Sequence, residues 1–141
     1  MTDFNLNIKY PELLMLTDVF FNIYMKIIEI DNNEFYQTVT NYYKENQKFV
    51  DIDLWGAKYR SKERTIPHDH IAPKSLMSMC LYLKTPKGCP GLSFNDISRT
   101  IPVKENEMIL FKPNVRHSVK SKKFRGNRYV IAGNISYNND I

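Results

Sequence analysis

The chain is sparing with the residues on which several kinds of protein depend. Its two cysteines, Cys80 and Cys89, are too few for the disulfide framework of a small secreted domain. No basic-then-apolar leader with a small-residue cleavage site opens the sequence, so a reducing cytosol is the expected setting, the host's if the chain is viral. Its five glycines form no phosphate-loop pattern. The most apolar stretch, residues 13–30, is broken by Asp18, Lys26 and Glu29, charges that a bilayer core penalises, and is therefore not a membrane span. Histidine occurs three times, and any Ser-His-Asp or Cys-His catalytic set would have to take one of the three.

What remains is the composition of a folded protein. A length of 141 residues suits one domain, and 43% apolar with 25% charged residues falls in the globular range. Nine tyrosines and eight phenylalanines, with Val and Ile in short runs, lean toward β structure. The net charge of +5 and pI near 9.1 suit an anionic ligand, a phosphate-bearing partner or simple solubility, and do not choose among them. The many Asn, Lys and Ile residues fit an AT-rich genome of the viral kind.

Along the chain, "LTDVFFNIYMKIIEI" (residues 16–30) reads as one apolar helix or two short strands, and its β-branched and aromatic content favours strands. "DNNEFYQTVTNYYKENQ" is a helix over about residues 33–47, with Asp31, Asn32 or Asn33 as cap and Phe35, Val39, Tyr42 and Tyr43 on one side. Beyond Phe49 the pattern changes to strands at 53–59, 65–70, 76–84, 91–94, 107–111, 115–120 and 127–137, divided by turn-rich segments. Many short strands so spaced make a sandwich or barrel. Met77, Met79 and Cys80, on a buried strand, are core fillers, and Trp55 packs in the core or lines a pocket mouth.

Two of the three histidines sit in "PHDH". On a strand, residues two apart share a face, so His68 and His70 project together and Asp69 turns away. His117, in "MILFKPNVRHSVKS", is the one further imidazole, and a jelly roll can bring its strand alongside. Imidazole suits iron, zinc, copper or nickel, and three facial ligands leave positions open for substrate or oxygen. Taken alone, His-x-His on a strand is more often a surface or hydrogen-bonded pair. The opposite register would turn Asp69 inward and leave too few ligands.

The blocks "WGAKYRSKERTIPHDH", "LMSMCLYLKTPKGCPGLSFND", "IPVKENEMILFKPNVRHSV" and "NRYVIAGNISYN" resemble, in order and spacing, those of the 2-oxoglutarate and Fe(II)-dependent oxygenases common in tailed bacteriophages and marine bacteria. The likeness covers about residues 53–138. It implies a mainly β fold, a double-stranded β-helix (the cupin-like jelly roll) over residues 51–141, with residues 1–50 adding strand and helix support, including a short N-terminal helical segment, within one domain, 1–141. It implies Fe(II) at His68, His70 and His117 and 2-oxoglutarate as cosubstrate, with no catalytic side chain beyond the ligands. Arg128 takes the place of the arginine that grips the far carboxylate of 2-oxoglutarate, a task suited to a planar guanidinium; Arg125 is a nearby competitor.

The chain departs from that family twice. His70 stands where most members carry a carboxylate, which leaves the site with one negative charge fewer. Val130 stands where many have a serine that bonds the cosubstrate; Tyr82 or Tyr59 can replace that bond, although either also reads as a core tyrosine. Asp69 either holds a group behind the ligands or is a solvated carboxylate. "KSKKFRGNR", with five cations in nine residues, is a solvated hairpin or an electrostatic guide; Phe124 alone among them could stack on a base, which argues against nucleic acid. The expected activity is hydroxylation of a small molecule or protein side chain with dioxygen, by a phage-encoded dioxygenase. Two alternatives stand beside it: a three-histidine cupin-like metalloenzyme that uses no 2-oxoglutarate, and a non-catalytic binding or structural phage module.

Overall fold

A computed structural model describes residues 2–4, 13–46 and 50–137; the side chains of residues 2–4, 42, 43 and 46 lie outside the description, and with them the helical-face positions Tyr42 and Tyr43. The strand β1 (Thr2–Phe4) is followed by two helices, α1 (Leu14–Asp31) and α2 (Asn33–Asn46). Eight strands then follow: β2 (Val50–Tyr59), β3 (Thr65–His68), β4 (Ser75–Lys84), β5 (Leu92–Phe94), β6 (Arg99–Ile101), β7 (Met108–Phe111), β8 (His117–Val119) and β9 (Arg128–Tyr137).

Residues 16–30, where strands are favoured by composition, form the helix α1 instead. The reason lies in the spacing of the residues it buries. Phe20, Tyr24 and Ile28 recur every fourth position and are its buried residues, one stripe of a helix. Helix propensities differ among these residues by less than about 0.7 kcal/mol each, whereas a buried Phe or Ile contributes about 1.5–3 kcal/mol, so packing decides. At the junction of the helices, Asn32 Oδ1 accepts a hydrogen bond from the backbone N–H of Phe35 at 3.1 Å, making it the cap of α2.

The strands form two antiparallel sheets, one of five in the order β1-β2-β9-β4-β7 and one of four in the order β3-β8-β5-β6. This is the mainly β jelly roll expected from the sequence. β6 and β1 are additions to the expected strands; β6 is a three-residue edge strand within the turn-rich "NDISRTIP".

Each face of the larger sheet takes alternate residues of its strands. One face meets the helices, where Phe20, Tyr24, Ile28 and Val39 pack with Val50, Leu54, Met77, Ile131 and Ile135. β2 and β9 come close together there: a Cβ on Gly133 would lie 2.8 Å from Leu54 Cδ2 and 3.0 Å from the Asp53 carbonyl oxygen. The other face turns toward the smaller sheet and carries Trp55, Ala57, Tyr59, Cys80, Tyr82, Arg128 and Val130. Among the described residues no helix is long and apolar enough to cross a membrane.

Candidate metal centre and its cavity

The four-stranded sheet brings the histidines together. β3 and β8 are antiparallel neighbours, and His68 lies directly opposite His117 in their register. His70 stands just beyond the end of β3, not on it as the sequence pattern implies. Its backbone N–H is held by the Pro113 carbonyl at 2.9 Å, and Asp69 Oδ1 accepts from the Ile71 N–H at 3.1 Å, turning the chain at that point. Asp69 is exposed, so this turn is its visible task.

One ring nitrogen from each histidine lies within 4.8 Å of the others. The Nε2 atoms of His70 and His117 are 3.1 Å apart. Two imidazole nitrogens bound at about 2.1 Å to one ion, at angles between a right angle and tetrahedral, would be separated by about 3.0–3.4 Å, so the spacing fits a shared cation. The ring of Phe111 packs on His117 with centroids 4.7 Å apart, and that of Trp55 lies 6.1 Å from His70. Burial, reinforced by the neighbouring histidines, lowers the pKa of His70 from 6.5 to about 4. Burial also lowers that of His117, against the opposing effect of its bond to Val115. Rings kept neutral at ordinary pH keep lone pairs for a cation.

From this trio a cavity of about 300 Å³ runs between the sheets, lined among others by Leu92, Val119, Val130 and Ala132. At its other end lies Arg128, the first residue of β9 and only 1% exposed. Its guanidinium carbon sits 4.8 Å from the ring centre of Tyr59 and 5.1 Å from that of Tyr82, a cation–π enclosure. Nε and Nη1 of Arg128 are buried without a hydrogen-bond partner from the protein, and the buried hydroxyl of Tyr82 has only the weakly bonding Cys80 thiol beside it. The hydroxyl of Tyr59, by contrast, is engaged with Thr65 Oγ1 at 2.5 Å. Arg125, the competing arginine, is exposed.

A buried guanidinium stays charged, and a charge withdrawn from water without a partner is costly. Arg128 therefore presents unused donors to whatever anion enters. At the histidine end, His68 and His70 are half-buried beside exposed Ile66 and Ile71, whereas Tyr82, Val119 and Val130, which also line the cavity, are buried.

Cys80 faces this cavity and is not simply core filler; burial pushes its thiol up to about 11, so it stays protonated. Two residues at the centre carry no sequence signal of their own. Ser78 and Asn134 oppose one another across β4 and β9, and the Asn134 amide reaches His70 Nδ1 at 3.5 Å. Only the strand register reveals them. The basic run at residues 120–128 lies at the arginine end, fixed to residues 61 and 62 by Lys62 N–H to the Lys122 carbonyl and Ser121 Oγ to the Lys62 carbonyl, both 2.8 Å, and Phe124 N–H to Ser61 Oγ at 3.2 Å.

No protein-family model matches the chain, and no curated protein matches it. Solved structures do. A viral collagen prolyl hydroxylase from Paramecium bursaria Chlorella virus 1, determined as its 2OG complex, aligns over 79% of this chain and 73% of its own, with a TM-score of 0.53 and 19% identity. A Pseudomonas putida prolyl-4-hydroxylase aligns over 62% of this chain and 52% of its own (TM-score 0.54, 17% identity). An oxidoreductase of the 2OG-Fe(II) oxygenase family from Burkholderia pseudomallei aligns over 72% and 57% (TM-score 0.54, 12% identity). The chain thus spans little more than half the length of the latter two. At these identities, what it shares with 2OG-Fe(II) oxygenase structures is the fold.

Proposed function

We propose that the chain is a non-haem Fe(II) and 2-oxoglutarate-dependent dioxygenase that hydroxylates a small molecule or a protein side chain. The observation that carries this reading is Arg128: a cation 1% exposed, with Nε and Nη1 unpartnered, in the same cavity as three converging imidazoles. The pairing suits a ligand that chelates a metal at one end and bears a carboxylate at the other.

In this reading His68, His70 and His117 hold Fe(II) on one side, and Arg128 receives the far carboxylate of 2-oxoglutarate in two parallel hydrogen bonds. Tyr82, whose hydroxyl has only the Cys80 thiol beside it, donates a further bond; Tyr59 serves as a wall of the guanidinium enclosure because its own hydroxyl is engaged by Thr65. Asp69 supports the centre indirectly, through the turn that presents His70. Leu92, Phe111, Val119, Val130 and Ala132 give the space apolar walls, and a low local dielectric strengthens each polar contact inside it. Fe(II) bound there would supply adjacent open positions for cosubstrate and dioxygen, coupling decarboxylation of 2-oxoglutarate to succinate with insertion of oxygen into a substrate C–H bond.

The 2-oxoglutarate reading gives the buried, unpaired Arg128 a defined task, which neither alternative, a three-histidine enzyme without 2-oxoglutarate or a non-catalytic module, requires by itself. The test is succinate release from 2-oxoglutarate by the Fe(II)-loaded protein in air, screened against free metabolites and peptides. Release that depends on Fe(II) and is lost in Arg128→Met is expected. A metal-loaded protein that leaves 2-oxoglutarate untouched under every condition would return the choice to the alternatives.

A further inference from the structure

The hydrogen bonds behind the three imidazoles divide them into two and one. His68 and His117 each point Nδ1 at the backbone carbonyl two residues earlier, Ile66 at 2.8 Å and Val115 at 3.0 Å. A carbonyl oxygen only accepts, so both rings carry their hydrogen on Nδ1 and keep a lone pair on Nε2. His70 has a side chain in that place. Its Nδ1 faces the Asn134 amide at 3.5 Å, and Ser78 Oγ donates to Asn134 Oδ1 at 2.7 Å.

An amide has a donating side and an accepting side, and a hydroxyl can do either. The Ser78–Asn134 pair therefore has two self-consistent states. In the first, Asn134 Nδ2 donates to His70 Nδ1, so the ring hydrogen sits on Nε2 and is donated to the bare Nε2 of His117, 3.1 Å away. In the second, the amide is turned over: Oδ1 accepts from His70 Nδ1–H, Nδ2 donates to Ser78 Oγ, and His70 Nε2 is bare like the other two. The ring is neutral in both. Only the second offers three lone pairs to one cation.

We infer that Asn134, anchored by Ser78, is a positioning residue that sets the tautomer of His70 and so switches the centre between a hydrogen-bonded metal-free form and a metal-accepting form. The inference rests on the three histidines being metal ligands. It also explains why a serine and an asparagine, rather than apolar residues, stand opposite one another where β4 and β9 pass the centre.

The experiment uses the full chain, with Zn(II) as a diamagnetic probe. Long-range proton–nitrogen NMR of the histidine rings reads each tautomer with and without Zn(II), and competition titration reads affinity. In the wild type, His70 should carry its hydrogen on Nε2 without metal and on Nδ1 with it, while His68 and His117 stay on Nδ1 throughout. N134D presents a carboxylate that only accepts, so His70 should already be on Nδ1 without metal, and Zn(II) should bind more tightly. N134L removes the partner and should weaken Zn(II) binding by about 10- to 100-fold, the range for losing a group that orients a ligand. A His70 tautomer that is the same in wild type and N134D without metal, or wild-type Zn(II) affinity in N134L, overturns the inference. A wild-type protein that takes up no Zn(II) sinks the metal centre instead, and the metal-free spectra still decide whether Asn134 sets the tautomer.

Discussion

The two faces of the five-stranded sheet are made from alternate residues of the same strands, yet they obey different rules. On the helix side, Leu54, Met77, Ile131 and Ile135 meet Phe20, Tyr24, Ile28 and Val39 in an apolar layer. On the cavity side, Ser78, Cys80, Tyr82, Arg128 and Asn134 bring polar and charged groups inside, with Tyr82 and Arg128 left short of partners. The first face is satisfied as it stands. The second leaves polar donors over, and on the proposed function that contrast separates stability from function along a period of two residues.

The sharpest way to break the comparison is to damage one face and measure the other. Phe20→Ala, which empties a fully buried site on the helix side, should lower unfolding free energy by about 3–5 kcal/mol in denaturant titration. Zn(II) affinity of the folded fraction should be unchanged. Arg128→Met should do the reverse. 2-Oxoglutarate binding to the metal-loaded protein should weaken by about 2–5 kcal/mol by calorimetry, while stability is unchanged or rises by about 1–4 kcal/mol, because a buried charge gives way to an apolar side chain of similar length.

Tyr82→Phe is a finer probe of the same face. Its hydroxyl is buried with only the Cys80 thiol, a weak partner, beside it, so removing it should leave stability within about 1 kcal/mol of the wild type or improve it, and should weaken 2-oxoglutarate binding by about 0.5–1.5 kcal/mol. A large loss of stability would instead make Tyr82 a plain core residue. The gentlest probe is pH. Because His70 falls from 6.5 to about 4 on folding, the unfolded chain takes up a proton first as pH drops. The stability that depends on neutral His70 is complete above pH 6.5 and lost progressively toward pH 4. Denaturant midpoints of the metal-free protein should fall across that window, and His70→Gln should flatten the dependence.

Much of the cavity face was legible from the chain. The strands expected at 65–70, 115–120 and 127–137 are all present, in the narrower bounds of β3 (Thr65–His68), β8 (His117–Val119) and β9 (Arg128–Tyr137). The helix side was less so. In "LTDVFFNIYMKIIEI" β-branched and aromatic residues speak for strands, and the four-residue stripe of Phe20, Tyr24 and Ile28 becomes decisive only when the sheet it covers is known. His70 meets the other imidazoles from a turn made by Asp69, not through strand alternation. Ser78 and Asn134, 56 residues apart, could not be paired without the register of β4 against β9, because each alone is an ordinary polar residue in a strand.

The most direct test of the central claim, that one cavity holds a divalent metal at three imidazoles and an anion at Arg128, is anaerobic titration of the Fe(II)-loaded protein with 2-oxoglutarate, followed in the visible spectrum. A weak charge-transfer band should grow to saturation in the wild type, fail to form without Fe(II), and require far more 2-oxoglutarate in Arg128→Met, which still binds the metal. A wild-type protein that binds Fe(II) but develops no band, or an Arg128→Met variant that titrates as the wild type does, would contradict it.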